Sequence, residues 1–288
     1  MATPDRDQPR TIDVHHLGRD RVICAWLVGD VVVDPGPSSS VAGLLAGLGD
    51  TRPRALALTH IHLDHAGAAG TLVRRWPALE VWVHQRGARH LIDPSRLLAS
   101  ARRLYGEDMD RLWGEVEPVP EENIRVLEGG ETLGPFAVAY TPGHASHHVS
   151  YFHEPSRRAF VGDVAGVRIA PAALTLPPTP PPDIDLEAWG RSLDAIETWR
   201  PRTLGLTHFG SVDDPPAQLE TMRRALPRFA ERALLLDSDD FTAVLERELA
   251  ETVDQATAAS YRQALPPDQS WAGLRRYWSK RELSSRDG

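Results

Sequence analysis

Apolar runs of four to seven residues, broken by glycine, proline and polar clusters, alternate with longer stretches of helical periodicity. Residues 11–17 and 22–28 read as strands, and 31–34 as a third, closed by Pro35-Gly36-Pro37. Ser38, Ser39 and Ser40 sit where they can cap a helix running to about residue 48. Residues 55–58 form a short apolar strand that ends on Thr59-His60, after which 67–76 reads as a helix and 81–84 as a strand. Strand patterns return at 124–127, 136–140, 149–152 and 158–161, followed by a helix at 185–199 and a last short strand at 203–206. This alternation predicts a layered α/β fold.

Three stretches depart from the pattern. Residues 94–113 carry Leu97, Leu98, Leu104, Met109, Leu112 and Trp113 at roughly helical spacing, and predict a helical insertion that packs on the core or walls a pocket. Pro177, Pro178, Pro180, Pro181 and Pro182 can be neither helix nor central strand, so they form a stiff, extended connection that borders a site or acts as a spacer. From residue 215 the chain reads as helical, with Leu219, Met222, Leu226 and Phe229 on one face and a second helix over about 241–264. The expected organisation is a polar tail (1–10), an α/β domain (11–212) and a helical C-terminal region (213–288).

Composition narrows the class. The 288 residues are 41% hydrophobic and 25% charged, enough for a full core. A net charge of −8 and a pI near 5.8 argue against nucleic acid or an anionic membrane as partner. The basic stretch 275–281 then reads as a solvated helix end. No apolar run approaches the ~18 residues that span a bilayer, and the first ten residues lack a signal core, so a cytoplasmic location is expected. The lone Cys24 cannot form an internal disulfide and reads as a small buried hydrophobe in a reducing compartment. Trp271, Tyr277 and Trp278 are expected to pack on their own subunit or across a homodimer.

The chemistry concentrates in Thr59-His60-Ile61-His62-Leu63-Asp64-His65-Ala66-Gly67, where four metal-ligand types fall within six residues at a strand end. Side chains two apart in an extended segment point the same way, so His60 and His62 can share one ion. Asp64 and His65 project differently as the chain turns into a helix, and can serve a second. His144, Asp163 and His208 each follow a predicted strand, and strand C-terminal ends gathered at one edge are where α/β folds build sites.

The motif His60-x-His62-x-Asp64-His65, followed by His144, Asp163 and His208, resembles the metallo-β-lactamase superfamily of αββα sandwich hydrolases over roughly residues 11–212. The resemblance implies an α/β (α+β) sandwich with a helical C-terminal extension and two zinc ions, iron or manganese being the alternatives. It places His60, His62 and His144 on one ion, Asp64, His65 and His208 on the other, and Asp163 between them. Asp34 matches a position that steadies a ligand histidine. The implied activity is hydrolysis of a carbonyl-type ester, a thioester or lactone, by a hydroxide held between the ions, with Asp64 orienting the water or shuttling its proton. The segment 141–152 is similar to glyoxalase II, although Phe209-Gly210 stands where that enzyme carries a tyrosine. His147 and His148 are candidate substrate contacts, and the substrate is expected to be a small molecule. A phosphodiesterase or ribonuclease, or an iron-dependent persulfide or oxygen enzyme, are the alternatives the same ligands allow.

Overall fold

The structure, a computed structural model, describes residues 8–284. The first sheet contains β1 (Arg10–Asp13), β2 (Cys24–Val28), β3 (Val31–Val33), β4 (Ala55–Ala57), β5 (Glu80–His84) and β6 (Ile124–Leu127), paired in that order. The second contains β7 (Thr132–Leu133), β8 (Phe136–Tyr140), β9 (Val149–His153), β10 (Arg158–Gly162), β11 (Thr203–Leu206) and β12 (Gly210–Val212). Strands β3 to β6 run parallel, as do β10 and β11; the remaining pairs are antiparallel.

Helices α1 (Val41–Leu48), α2 (Leu63–Ala66), α3 (Ala69–Arg75), α4 (Gln85–Ile92), α5 (Ser95–Tyr105) and α6 (Met109–Trp113) fall within the first half. They are followed by α7 (Leu186–Thr198), α8 (Pro215–Leu235), α9 (Ser238–Thr252), α10 (Gln255–Ala264) and α11 (Pro267–Ser284).

Strand alternation makes the layers. In β2, Cys24, Trp26 and Val28 point between the sheets, where they meet Trp82, Phe136, Tyr151 and Phe160. The intervening Ala25 and Leu27 point outward to Leu44, Leu48, Leu72 and Val73 of α1 and α3. On the other side, Ala159 and Val161 of β10 pack on Trp189, Leu193, Leu219 and Phe229 of α7 and α8. The result is an αββα sandwich, as the sequence resemblance implies. The sheets are also stitched by polar contacts: Trp26 Nε1 donates to Leu206 O at 3.1 Å and Tyr151 Oη to Leu58 O at 2.9 Å.

The C-terminal helices are not a separate body. Phe241, Leu245, Leu249, Tyr261, Leu274 and Tyr277 belong to the same buried cluster as β10 and α7. Trp271 and Trp278 donate to Leu236 O and Ala230 O, so these aromatics pack on their own chain. The basic groups nearby are engaged locally: Arg276 and Lys280 both donate to Pro182 O, and Arg281 pairs with Glu187. Among the described residues no helix is long and apolar enough to cross a membrane.

Several boundaries differ from the sequence reading. Residues 1–7 of the expected tail lie outside the described residues, and Arg10 already pairs in β1. The run 11–17 stops at Asp13 and passes into a 3-10 turn at His16–Gly18, because His15 (φ 49°) and Leu17 (φ 55°) leave the extended region. The serines form a 3-10 turn; Ser40 takes the N-cap position of α1 without a side-chain capping bond, and its Oγ meets His16 Nδ1 at 3.2 Å. The helix expected at 67–76 is α3, Ala69–Arg75, and a separate short turn of helix, α2, precedes it with His62 as its extended N-cap. The insertion 94–113 breaks at Gly106, whose φ of 54° ends α5. The helix expected over 241–264 breaks after Thr252, where Asp254 accepts from Thr257 N and starts α10. Helix α4 escapes a periodicity reading because its outer face is Arg- and His-rich, and β7 and β12 are only two and three residues long.

Candidate metal centre

All seven predicted ligand residues converge at one end of the sandwich, each from a strand exit. Thr59 to His65 follow β4, His144 follows β8, Asp163 follows β10 and His208 follows β11. Three groups of donor atoms lie within 4.8 Å of one another: His60, His62 and His144; His60, His65 and Asp163; and Asp64, His65 and His208. Asp163 spans the groups, with Oδ1 3.3 Å from His65 Nε2 and Oδ2 3.3 Å from His144 Nε2. Asp64 Oδ2 is 3.2 Å from His208 Nε2, and His144 Nε2 is 3.0 Å from His62 Nδ1.

Glycines make two of these exits. Gly143 (φ 135°) lies so close to Trp189 that a Cβ would overlap its backbone, and Gly162 (φ 48°) would drive a Cβ into Thr59 Oγ1 and His148 Nε2. No other residue fits either place without displacing the ligand that follows it.

The outward-facing ring nitrogens are held. His65 Nδ1 lies 2.8 Å from Asp34 Oδ2, His144 Nδ1 2.8 Å from Pro178 O, and His208 Nδ1 2.7 Å from Val22 O. Donation from Nδ1 to each acceptor leaves Nε2 as the free lone pair facing the centre. Asp34 does more than steady one histidine. Fully buried at φ 48°, it also accepts from Thr59 N, Thr59 Oγ1 and Thr207 Oγ1, tying the β3, β4 and β11 exits together.

The donor set fits a cation. His60 Nε2, His65 Nε2, His208 Nε2 and Asp163 Oδ1 are buried without a hydrogen-bond partner, a state that costs free energy unless something positive is shared among them. Burial, then the neighbouring His65 and His62, push the His60 imidazole well below the usual histidine range. Burial would raise Asp64, but the neighbouring His65 and His208 imidazoles outweigh it and hold the carboxyl below its ordinary value. Burial opposes a charge on His65 as well, yet Asp163, Asp64 and Asp34 raise it well above the ordinary value. Two ionised carboxylates among imidazoles make a site that attracts positive charge, and mixed nitrogen and oxygen donors suit zinc, iron or manganese.

His148 and His147 pack behind the ligands. The His148 ring stacks on His60 at 5.0 Å with Nδ1 2.9 Å from Thr141 Oγ1, and His147 lies 6.1 Å from His60. The centre opens on the other side into a cavity of about 630 Å³, whose lining includes His62, Asp64, His144 and Asp163 but neither of these two histidines. The proline run borders this cavity through Pro178, Pro180, Pro181 and Pro182, and α5 and α6 form its wall.

Three contributors escaped the sequence reading. His16 lines the cavity, and burial pushes its imidazole down to about 4, so it is neutral at physiological pH. Tyr105 lines it too; burial, then the Asp64 charge, raise its phenol pKa and keep it protonated. The end of α10 and the start of α11, Gln263 to Ser270, supply the far wall. No spacing marks His16, because only the left-handed turn at 15–17 aims it inward.

The fold and the site together define an αββα sandwich with a candidate metal centre at one end. The profile of the metallo-beta-lactamase superfamily matches residues 20–208, and the chain belongs to that superfamily. Its members are usually metal-dependent hydrolases. The chain is 30% identical over 206 residues to the metallo-beta-lactamase fold-containing protein ST1585 of Sulfurisphaera tokodaii, covering 69% of this chain and 75% of that one. It is 32% identical over 137 residues to a hydroxyacylglutathione hydrolase of Salmonella paratyphi A, covering 46% of this chain and 41% of that enzyme. In three dimensions it matches crystal structures of ST1585 (TM-score 0.68, 23% identity, 93% and 98% of the two chains) and of the Thermus thermophilus family protein TTHA1429 (0.63, 20%, 95% and 94%), which shows the shared fold.

Proposed function

We propose that the protein is a binuclear zinc hydrolase acting on a carbonyl-type ester bond, a thioester or a lactone. The observation that carries this reading is the convergence of buried, partnerless donors: His60, His65 and His208 Nε2 with Asp163 Oδ1. His60, His62 and His144 would hold one ion and Asp64, His65 and His208 the other, with Asp163 placed between the two groups. Bound ions supply an acidified water and an electrophile for the substrate carbonyl. Similarity to a hydroxyacylglutathione hydrolase over part of the chain supports the choice of a carbonyl ester.

The protein's own groups do the rest. Asp64, kept ionised and open to the cavity, orients the attacking water and takes its proton. The water oxygen adds to the carbonyl carbon, the bond to the leaving oxygen or sulfur breaks, and the proton passes to that leaving atom. Asp34, Pro178 O and Val22 O keep the ligand rings in place throughout. His147 and His148 support the His60 ring from behind.

The test is turnover of a small panel by metal-loaded protein: a thioester, a lactone and bis-p-nitrophenyl phosphate. The expected result is hydrolysis of a carbonyl substrate, cut by about 100-fold or more in Asp64→Asn. Preference for the phosphodiester, or full activity in that variant, would contradict the reading.

A further inference from the structure

The outer half of the cavity lies beyond the reach of the metal-binding residues, and one side of it carries an apolar strip. One wall is α5, 11 residues long, in which no side chain is fully buried. Leu97, Ala101, Leu104 and Tyr105 recur at helical spacing; all four are half-buried and all line the cavity. Leu97, Ala101 and Tyr105 pack in part on the small cluster of Leu63, Met109 and Trp113, and the surface this face leaves uncovered borders open space continuous with Asp64 and Asp163. The wall continues inward through rings: Tyr105 meets Trp113 edge-on at 5.1 Å, and Trp113 stacks on His16 at 5.5 Å, 6° from parallel. Pro180, Leu265 and Pro266 also line this cavity. Polar groups around it cancel in charge, Arg103 and Arg276 against Asp108 and Asp268, so it exerts no net pull on an anion.

We propose that this slot receives an elongated apolar arm of the substrate, a long alkyl chain or aromatic ring system laid along Tyr105, Trp113 and His16 while its carbonyl reaches the centre. This inference rests on the hydrolase reading. It names the substrate class as esters, thioesters or lactones with an uncharged hydrophobic arm. The arm would cover the α5 face that the fold leaves half-open, and removing that surface from water is what would select it.

Calorimetric titration of the metal-loaded full chain tests the arm without relying on turnover. The probes are octanoate and octan-1-ol, one for either side of the scissile bond, each set against acetate or ethanol. At least one long probe is expected to bind about tenfold or more tighter than its short counterpart. Leu104→Asn and Trp113→Ala should each remove most of that difference. Should Trp113→Ala fail to fold, Leu104→Asn on the half-buried face carries the comparison alone. Equal binding of long and short probes, or a difference that Leu104→Asn leaves unmoved, overturns the arm. Hydrolysis of short and long esters at the same rate, together with equal probe binding, removes the arm and keeps the hydrolase. Long-probe selectivity lost in Leu104→Asn, with no ester hydrolysed, keeps the arm and removes the hydrolase.

Discussion

The two halves of the cavity are built to opposite rules. At its floor, His60, His65 and Asp34 are fully buried, and each outward nitrogen of His65, His144 and His208 meets a fixed acceptor. At its outer wall, α5 buries no side chain fully, and Leu97, Leu98, Ala101 and Leu112 are only partly covered around Trp113 and Met109. The floor is over-determined, so the ligands stay in register whatever binds. The wall is held by few contacts, which leaves it free to suit a substrate. The candidate ligands sit at the sheet ends, and the proposed substrate wall sits on an insertion between β5 and β6.

That contrast breaks first if the floor tolerates change. Asp34→Ala leaves the buried His65 and two threonine hydroxyls without their acceptor, and should cost about 3–5 kcal/mol in denaturant unfolding. Trp82→Ala, beneath the floor between the sheets, should cost about 3–5 kcal/mol by leaving a cavity. Leu98→Ala on α5 should cost less than ~1 kcal/mol, and a loss equal to that of Trp82 would mean the wall is as firmly packed as the core. Amide hydrogen exchange sharpens the same point: α5 should exchange well before β4 and β5, and equal protection would argue against a loosely held wall. The smallest expected effect concerns Cys24, fully buried beside Leu206 O, where burial raises the thiol well above its usual range. It should stay unmodified by iodoacetamide in the native protein at pH 8 and react once denatured.

Most of the floor was legible in the chain, and little of the wall. Ligand types placed after short apolar strands are a local signal, so His60 to His65, His144, Asp163 and His208 could be picked out one strand exit at a time. Asp34 was legible only as support for one histidine; its links to Thr59 and Thr207 come from three strands meeting, which no local pattern carries. The insertion was visible at 94–113 but not its break, since Gly106 inside a helical pattern is ambiguous until its φ is known. His16 and the residues of the α10–α11 connection reach the cavity through long-range packing, including Gln263 Nε2 donating to His16 O. Sequence spacing is silent on such contacts. In the aromatic tail, Tyr277 lies in the buried cluster shared with α8, with Trp271 and Trp278 packed against it.

In the proposed centre, seven side chains would hold two ions with Asp163 between them. Elemental analysis of the purified chain and of Asp163→Ala, each after metal loading and removal of excess, tests it most directly. The account predicts about two ions per chain in the parent and less than one in the variant. A parent that holds no metal, or a variant that keeps both ions, would contradict it.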